Sequence, residues 1–591
     1  MLGWPYEFLT LSDEDKELRR QSLAFYAGIA HLSALLPVLV LPLIRLIHHR
    51  AAGSNNRRGG YEAVPGSPAV KARRESGGGG DGGLVTGQWR TRLAWWWMGD
   101  DVRFLGRHRL GQRDEWIVGV VWATWLLVLS VLGTGRDYLH LTKRLGLIAA
   151  SQLPPLYLLS LKSFTPYAWT LRSSYEHINR YHRVLGRVVY ALILLHIVLY
   201  NVFFVASGIW NKRFFAPVVR EGVLASGLLH GLMATAVPQV RSWSYRVFFF
   251  VHYVAVRAIP PLLFFHAPSA RVYLVEAVVF HLIDFVARRR RTVFAAPATL
   301  RTVPGTNLVR VDVALPPSRL PQFQAQPGSH VLIRIPASSR VSQSLKEYLS
   351  ALSSNPFTVS SIDTSSGTIS LIARKRTGPL TTHLSTLLSS SSSHQETTTT
   401  KITTTLDIQG PYGVIGKSVS SLLNGGYDRI LLFAGGVGAT FALPVYRAIL
   451  HDNPAARVTL IWAVRSAAEA TWAVDASTAG DSTSTPRSSS ILDDDHVQLF
   501  LTGDMGIAAA RDGSGMEMAD LRRSSGGSGG GNRKRPDVGR IIDDTFRKGR
   551  EESIAVMVCG PTGMAADVRA RVRPWAVKGR RVWWHSEAFG W

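Results

Sequence analysis

Long apolar runs alternate with polar stretches over the first half of the chain, and the second half breaks into shorter apolar runs punctuated by Gly and Pro. Runs of membrane length fall at about 23–47, 116–133, 145–161, 184–206, 219–238, 247–267 and 271–287. A helix needs roughly 20 apolar residues to cross a bilayer, so each run predicts a transmembrane span. The first ends in His48, His49 and Arg50 and is too long for the core of a cleaved signal. The acidic, amphipathic start before it also lacks the basic residues of a signal peptide. After residue 291 the pattern shortens. FAAPATLRTVPGTNLVRVDVALP and QPGSHVLIRIP alternate apolar and polar positions as strands do. From GGYDRILLFAGGVGATFALPVYRAIL onward the order is strand, glycine turn and helix, with further strands at ARVTLIWAVRS, HVQLFLTG and ESIAVMVCGPTGMAADVRARV. That order predicts an α/β Rossmann-like unit. The fold class is therefore a multi-domain membrane protein: an α-helical transmembrane bundle, a β-barrel domain, then a Rossmann-like domain.

Polar tracts separate these parts. Residues 51–114, with GGGGDGG and many arginines, read as a linker or disordered loop ending in WWWMGDDVRFLGRHR, whose Trp and Arg suit a membrane surface. A Ser/Thr run at about 389–404, a polar insertion at 466–495 and a Gly/Ser/Arg tract at 505–540 have too little apolar content to form core. The resulting boundaries are 1–115 for the first span and its cytoplasmic linker, 116–287 for the helical bundle, 288–420 for the barrel and 421–591 for the Rossmann-like domain.

The chain of 591 residues carries a net charge of +26, but its Lys and Arg runs flank apolar segments and Gly/Ser tracts and no aromatic platform accompanies them. This points to membrane topology and lipid contact and away from nucleic acid. Arg288, Arg289, Arg290 and Arg291 mark a cytoplasmic end. Counting back through seven spans places the N-terminus outside and the basic loops at 48–115, 162–183 and 239–246 inside. The outer 207–220 loop nevertheless carries Lys212, Arg213 and Arg220. The single cysteine, Cys559, allows no internal disulfide.

Two apolar runs carry chemistry. YHRVLGRVVYALILLHIVLY places His182 and His196 fourteen residues apart, and VHYVAVRAIPPLLFFHAP places His252 and His266 at the same interval. Fourteen helical steps return to nearly the same face, with the rings roughly 21 Å apart along the axis. Two such helices side by side set His182 opposite His252 and His196 opposite His266. Each pair suits a bis-histidine haem iron, and an ionisable group at bilayer depth persists mainly where it has a partner or a task. Pro260 and Pro261 lie between the second two histidines, where a kink would rotate one ring. His31 has no spaced partner and reads as structural.

Together these motifs resemble the fungal ferric reductase family, transmembrane flavocytochromes b that include ferric-chelate reductases and NADPH oxidase-like proteins. Its flavin half is similar to ferredoxin–NADP reductases. The family's two histidine pairs, HPFT-type flavin motif, glycine-rich NADPH turn, CGP motif and terminal ExFxW are matched by the four histidines, NPFT at 355–358, GGVGAT at 435–440, CGP at 559–561 and EAFGW at 587–591. The likeness covers about 116–591 apart from the insertions. It implies that Pro356, Phe357, Thr358, Val359 and Ser360 line FAD, with Gly378 and Thr381 near its pyrophosphate and Arg374, Lys375 and Arg376 nearby. It also implies that Gly410, Pro411, Tyr412 and Gly413 lie beside the nicotinamide, and that Gly435, Gly436, Gly438 and Thr440 cradle the dinucleotide phosphates. Cys559, Gly560 and Pro561 would approach the nicotinamide, and Phe589 and Trp591 would stack on flavin or nicotinamide. Arg465, after the second Rossmann strand, is placed to meet a 2′-phosphate and so favours NADPH over NADH. Asn355 departs from the family's His: it can hydrogen-bond but carries no charge.

The resemblance implies that NADPH gives a hydride to FAD, which passes single electrons to a haem b at His182/His252. A second haem b at His196/His266 follows, and then an outer acceptor. Ferric iron or a ferric siderophore is the implied acceptor, with cupric ion second, at the plasma membrane, in support of iron uptake. No residue identifies an iron permease or oxidase partner. Two other readings share these residues: a superoxide-generating NADPH oxidase, and a non-enzymatic haem- and nucleotide-binding membrane protein. The extra first span and the terminal ExFxW lean away from the oxidase.

Overall fold

The computed structural model describes residues 5–55, 89, 92–93, 95–97, 101–104, 108–163, 165–171, 173–336, 354–376, 378–391, 402–413, 420–423, 426–478, 491, 494–503, 535–549 and 552–587. They form two units, Met1–Lys71 with Trp97–Arg290 and Ala72–Trp96 with Arg291–Trp591.

The first unit is helical: α1 (Asp13–Asn55), α2 (Arg113–Val131), α3 (Tyr138–Ser151), α4 (Leu153–Leu158), α5 (Tyr175–Ala206), α6 (Pro217–Ala236), α7 (Tyr245–His266) and α8 (Arg271–Arg291). Among the described residues, Asp13–Ile47, Arg113–Val131, Tyr175–Ala206 and Tyr245–His266 are long and apolar enough to cross a membrane, by length and composition. The runs expected at 219–238 and 271–287 form α6 and α8, which are not among those four. The run at 145–161 departs from expectation, because it is two helices meeting at Gln152. The cause is local. Pro154 and Pro155 have no N–H, so the carbonyls of Ala150 and Ser151 lose their partners four residues on and the helix stops. Helix α7 runs through Pro260 and Pro261 as one element. Ala30, Leu126, Leu145, Ile148, Leu185 and Leu192 build the core between α1, α2, α3 and α5. Leu39, Val121, Val205 and Val272 are each more than half exposed, an apolar surface of the kind lipid covers.

Within the stretch expected as linker, α1 continues to Asn55 and Asp101–Phe104 pairs antiparallel with His108–Gln112. The tryptophans expected at a membrane surface divide. Trp95 is buried in the core of the second unit, its ring 6.0 Å from that of Trp584 and under the Arg569 guanidinium.

The second unit opens with strands β1 (Thr292–Thr302), β2 (Leu308–Ala314), β3 (His330–Arg334), β4 (Asn355–Asp363), β5 (Thr368–Arg374) and β6 (Ile402–Tyr412). They close into an antiparallel barrel in the order β1-β2-β5-β4-β3-β6. Along β2, Val309, Val311 and Val313 point inward and Arg310 and Asp312 outward, the period of two that specifies a half-buried strand. Helix α9 (Pro379–Ser391) adds Leu380, Leu384 and Leu388, spaced by four on one face, to the barrel core.

A five-stranded parallel sheet follows: β7 (Arg429–Gly435), β8 (Arg457–Val464), β9 (Val497–Leu501), β10 (Ile554–Cys559) and β11 (Val582–Glu587), in the order β9-β8-β7-β10-β11. Ile554–Cys559 is buried throughout, as a parallel strand covered on both faces must be. Helix α10 (Ala439–Asp452) follows β7, and α11 (Val538–Lys548) and α12 (Thr562–Val577) flank β10 in sequence. The chain winds outward from β7 in one direction and from β10 in the other. The carboxyl ends of β7 and β10 are thus the topological switch point, where open α/β sheets bind ligands.

Candidate functional site

In the first unit the rings of His182 and His252 face each other, centroids 6.3 Å apart and planes at 63°. Three of the four histidines are oriented by backbone carbonyls. His182 Nδ1 lies 2.9 Å from Leu156 O, His196 Nδ1 2.8 Å from Thr142 O and His266 Nδ1 2.7 Å from Val218 O. A carbonyl oxygen only accepts, so each Nδ1 carries the proton and each Nε2 keeps its lone pair free. This is the tautomer of a metal-binding imidazole whose other nitrogen is fixed by the surrounding shell. His252 Nδ1 is buried with no hydrogen-bond partner among the described residues. Two glycines make room for the other pair. A Cβ on Gly146 of α3 would lie 2.6 Å from His196 Nδ1, and one on Gly222 of α6 would lie 2.5 Å from His266 Cε1. Among the described residues, no group of three or more His, Cys, Asp or Glu could hold a metal ion. A haem iron, already held by four ring nitrogens, needs only two axial ligands, so paired histidines fit it.

In the barrel, β3 pairs with β4 so that His330 stands opposite Thr358, and with β6 so that His330 stands opposite Tyr412. Thr358, His330 and Tyr412 therefore form a row across three neighbouring strands, with the His330 and Tyr412 rings 5.9 Å apart. Val359 sits in the barrel core with Phe357 packed against it, and Ser360 Oγ donates to Ser370 O at 2.8 Å. Pro356 and Thr358 stay on the alternate face. Gly410 and Gly413 have φ of +153° and +121°. A Cβ on Gly410 would come within 3.2 Å of both His330 O and Val331 Cγ1, so close strand approach requires glycine there. Pro411 follows between them on β6. Thr381 Oγ1 donates to Arg376 O at 2.7 Å and to Gly378 O at 3.1 Å, which shapes the turn leading into α9.

The glycine turn and the CGP motif pack against each other at the switch point. A Cβ on Gly438 would fall 2.1 Å from Cys559 O, one on Gly435 would fall 2.7 Å from Pro561 Cδ, and one on Gly560 would fall 3.1 Å from Gly435 N. Gly436 has φ of +55°, and its carbonyl accepts from Trp462 Nε1 at 3.0 Å. Thr440 Oγ1 donates to Val437 O at 2.8 Å inside the turn. Arg374 ends close by, since a Cβ on Gly436 would lie 3.2 Å from its Nη2. Arg465 and Arg374 both reach Oε1 of buried Glu469, at 3.0 Å and 3.2 Å. Glu469 Oε2 has no hydrogen-bond partner among the described residues. Arg465, expected to face a 2′-phosphate, is thus held by a carboxylate while remaining 62% exposed.

On β11, His585 stacks on Trp583 at 5.7 Å and on Phe441 at 6.2 Å, and its Nε2 lies 2.9 Å from Glu587 Oε2. Glu587 stands in register with Cys559. Phe589 and Trp591 lie outside the described residues. Sequence reading missed His330, Glu469, His585 and the carbonyls of Thr142, Leu156 and Val218. Only the strand register could have signalled His330, and backbone acceptors leave no residue-type signal.

Burial pushes the Cys559 thiol up, and the Glu587 carboxylate pushes it further in the same direction. The thiolate is the nucleophile, so a raised thiol stays unreactive at neutral and mildly alkaline pH. Cys559 is expected to resist iodoacetamide at pH 8 in the folded protein and to react once urea unfolds it. Mass spectrometry of the tryptic peptide checks this, and rapid labelling of the folded chain would contradict it.

An antiparallel barrel joined to a parallel sheet with glycine turns at its switch point defines a flavin- and pyridine-nucleotide-binding oxidoreductase, carried here in one chain with a bundle of apolar helices. Three family models match in order: the ferric reductase-like transmembrane component at residues 145–263, an FAD-binding domain at 294–415 and the ferric reductase NAD-binding domain at 427–573. The chain belongs to the ferric reductase family. It is 25% identical over 486 residues to a probable metalloreductase AIM14 of Meyerozyma guilliermondii, covering 79% of this chain and 88% of that one. With a probable ferric reductase transmembrane component of Eremothecium gossypii it shares 28% identity over 393 residues, 64% of this chain and 54% of that one. With the ferric/cupric reductase transmembrane component 2 of Schizosaccharomyces pombe it shares 25% over 355 residues, 55% and 61% of the two chains.

Proposed function

We propose that this protein reduces ferric iron, free or bound by a siderophore, with electrons drawn from NADPH across the plasma membrane, and cupric ion as a second acceptor. The observation that carries the reading is the set of histidines on α5 and α7, three with Nδ1 tied to a carbonyl and Nε2 left free. His182 with His252 and His196 with His266 would hold two haems b. When bound, FAD supplies the conversion of a two-electron hydride into single electrons, and haem supplies one-electron steps.

The remaining work belongs to the chain. Gly435, Gly436 and Gly438 let the backbone come close to the dinucleotide phosphates at the start of α10, where free N–H groups and the helix dipole favour anions. Arg374 brings positive charge to the same turn, and Arg465 offers its exposed edge to a 2′-phosphate. Pro356, Thr358, His330 and Tyr412 present one face for the flavin ring, and Gly378 with Thr381 opens α9 towards its pyrophosphate. Cys559, Gly560 and Pro561, beside Glu587, close the nicotinamide end as neutral, tightly packed groups. Phe589 and Trp591 would add aromatic faces there.

Membranes containing the protein are expected to reduce a ferric chelate with NADPH, read with a ferrous-specific chromophore, and to give a b-type haem spectrum with dithionite. Oxygen-dependent superoxide without ferric reduction would replace this reading with an oxidase. A dithionite spectrum that NADPH cannot reproduce would replace it with a binding protein.

A further inference from the structure

Several imidazoles of the helical unit stand apart from the two histidine pairs, and one of them is paired with a carboxylate. His31 of α1 is buried, its Nδ1 3.1 Å from Ser151 O and its Nε2 3.1 Å from Glu276 Oε2 of α8. The Ser151 carbonyl is available because the residue four positions on is Pro155, which has no N–H to offer it. Being a carbonyl, it fixes the proton on Nδ1 and turns Nε2 towards the carboxylate. Between Nε2 and Oε2 there is then room for one proton, and the pair is neutral whether that proton sits on the ring or on the acid. Losing it leaves a net negative charge, and gaining a second leaves a net positive one.

The pair stands on the same stretch of backbone that orients two of the paired histidines. Ser151 follows Thr142, the acceptor of His196, by nine residues and precedes Leu156, the acceptor of His182, by five. An ionisable group on a helix of membrane length, as His31 is on α1, is costly unless it has a task. Against the His31 ring stand the Glu276 carboxylate, the Ser151 carbonyl and the Tyr273 ring, the last 5.2 Å away.

We propose that His31 and Glu276 form a proton-binding site linked to the electron path, taking up one proton as a neighbouring histidine-held site gains one electron and releasing it on reoxidation. The electron comes from NADPH and the proton from water. The added negative charge is matched by the proton at Nε2 or Oε2, so the bundle's net charge does not change over the cycle. This inference rests on the two-haem reading above.

The test is a spectroelectrochemical titration of the haems in the purified full-length protein between pH 5.5 and 8.5. In the unaltered protein at least one midpoint potential is expected to fall as pH rises, approaching about 59 mV per unit for one proton per electron. Glu276→Gln and His31→Gln, which keep size and hydrogen-bonding capacity, are expected to flatten that slope while retaining the dithionite spectrum. A flat profile in the unaltered protein, or an unchanged slope in both variants, overturns the inference and leaves the two-haem reading standing. Absence of any haem spectrum overturns both. Should either variant lose haem, the other and the unaltered protein's own slope still decide the question.

Discussion

In membranes carrying His182→Ala, NADPH-driven ferric reduction is expected to fall by roughly a hundredfold or more, because His182 would hold a haem on the reading proposed above, and losing that hold removes a carrier outright where loss of an outer support costs 10–100-fold. The dithionite-reduced spectrum should keep roughly half its amplitude, since the other pair stays intact. His196→Ala is expected to act the same way through the second pair. The argument runs through orientation. His182 is fixed by Leu156 O and His196 by Thr142 O, so neither ring can swing to replace the other. His31 is committed to Ser151 and Glu276. His140 lies 2.7 Å from the buried Arg144 guanidinium. Unaltered ferric reduction in both variants would refute the two-haem path. A lost spectrum together with lost protein would point to misfolding, which immunoblotting of the membranes separates from loss of haem.

The second large effect is expected at Gly438→Ala. The new Cβ would stand 2.1 Å from Cys559 O, 2.7 Å from the Cys559 carbonyl carbon and 3.3 Å from Sγ. None of the first two atoms belongs to a flexible side chain, so β7 and β10 must part at their carboxyl ends. Forcing an extra carbon into packed structure costs typically 1–3 kcal/mol. Here the distortion falls where the nucleotide would bind. The expected outcome is loss of NADPH-driven flavin reduction, with the dithionite haem spectrum preserved and a lower melting temperature for the reductase part. Calorimetry and stopped-flow flavin bleaching measure the two effects, and normal flavin reduction would show that the turn tolerates a side chain.

Much of this architecture could be read from residue patterns. The fourteen-residue interval put His182 across from His252 because helical periodicity is a local property that apolar runs preserve. Alternation along β2 and continuous burial along β10 likewise follow from strand geometry. Elsewhere the pattern misled or fell silent. The run at 145–161 looked continuous because Leu, Tyr and Pro together remain apolar, yet Pro154 and Pro155 cannot supply the hydrogen bonds a single span needs. The motif at 95–109 carries tryptophans that suit a membrane surface, and Trp95 lies instead in the core beside Trp584. By resemblance, GGVGAT reads as a phosphate cradle and CGP as an approach to the nicotinamide, both facing a ligand. Their first physical requirement is each other, since the two turns touch backbone to backbone. Glu469 was invisible because nothing in its neighbourhood reveals that arginines from β5 and the end of β8 would converge on one carboxylate.

On the two-haem reading proposed above, the interval between the histidines on α5 would also make the protein an electrical device. Its two rings are separated by roughly 21 Å along the axis, about two-thirds of a bilayer's apolar thickness. An electron moving from one level to the other would therefore carry current through most of the membrane field. At a potential of 100 mV a full crossing is worth about 2.3 kcal/mol per charge. A membrane that is negative on the side where electrons enter pushes them outward, and each turnover discharges that membrane a little. Metal reduction by such a chain would draw on two batteries at once, the reducing power of the nucleotide and the polarisation of the membrane, and would slow as the second ran down.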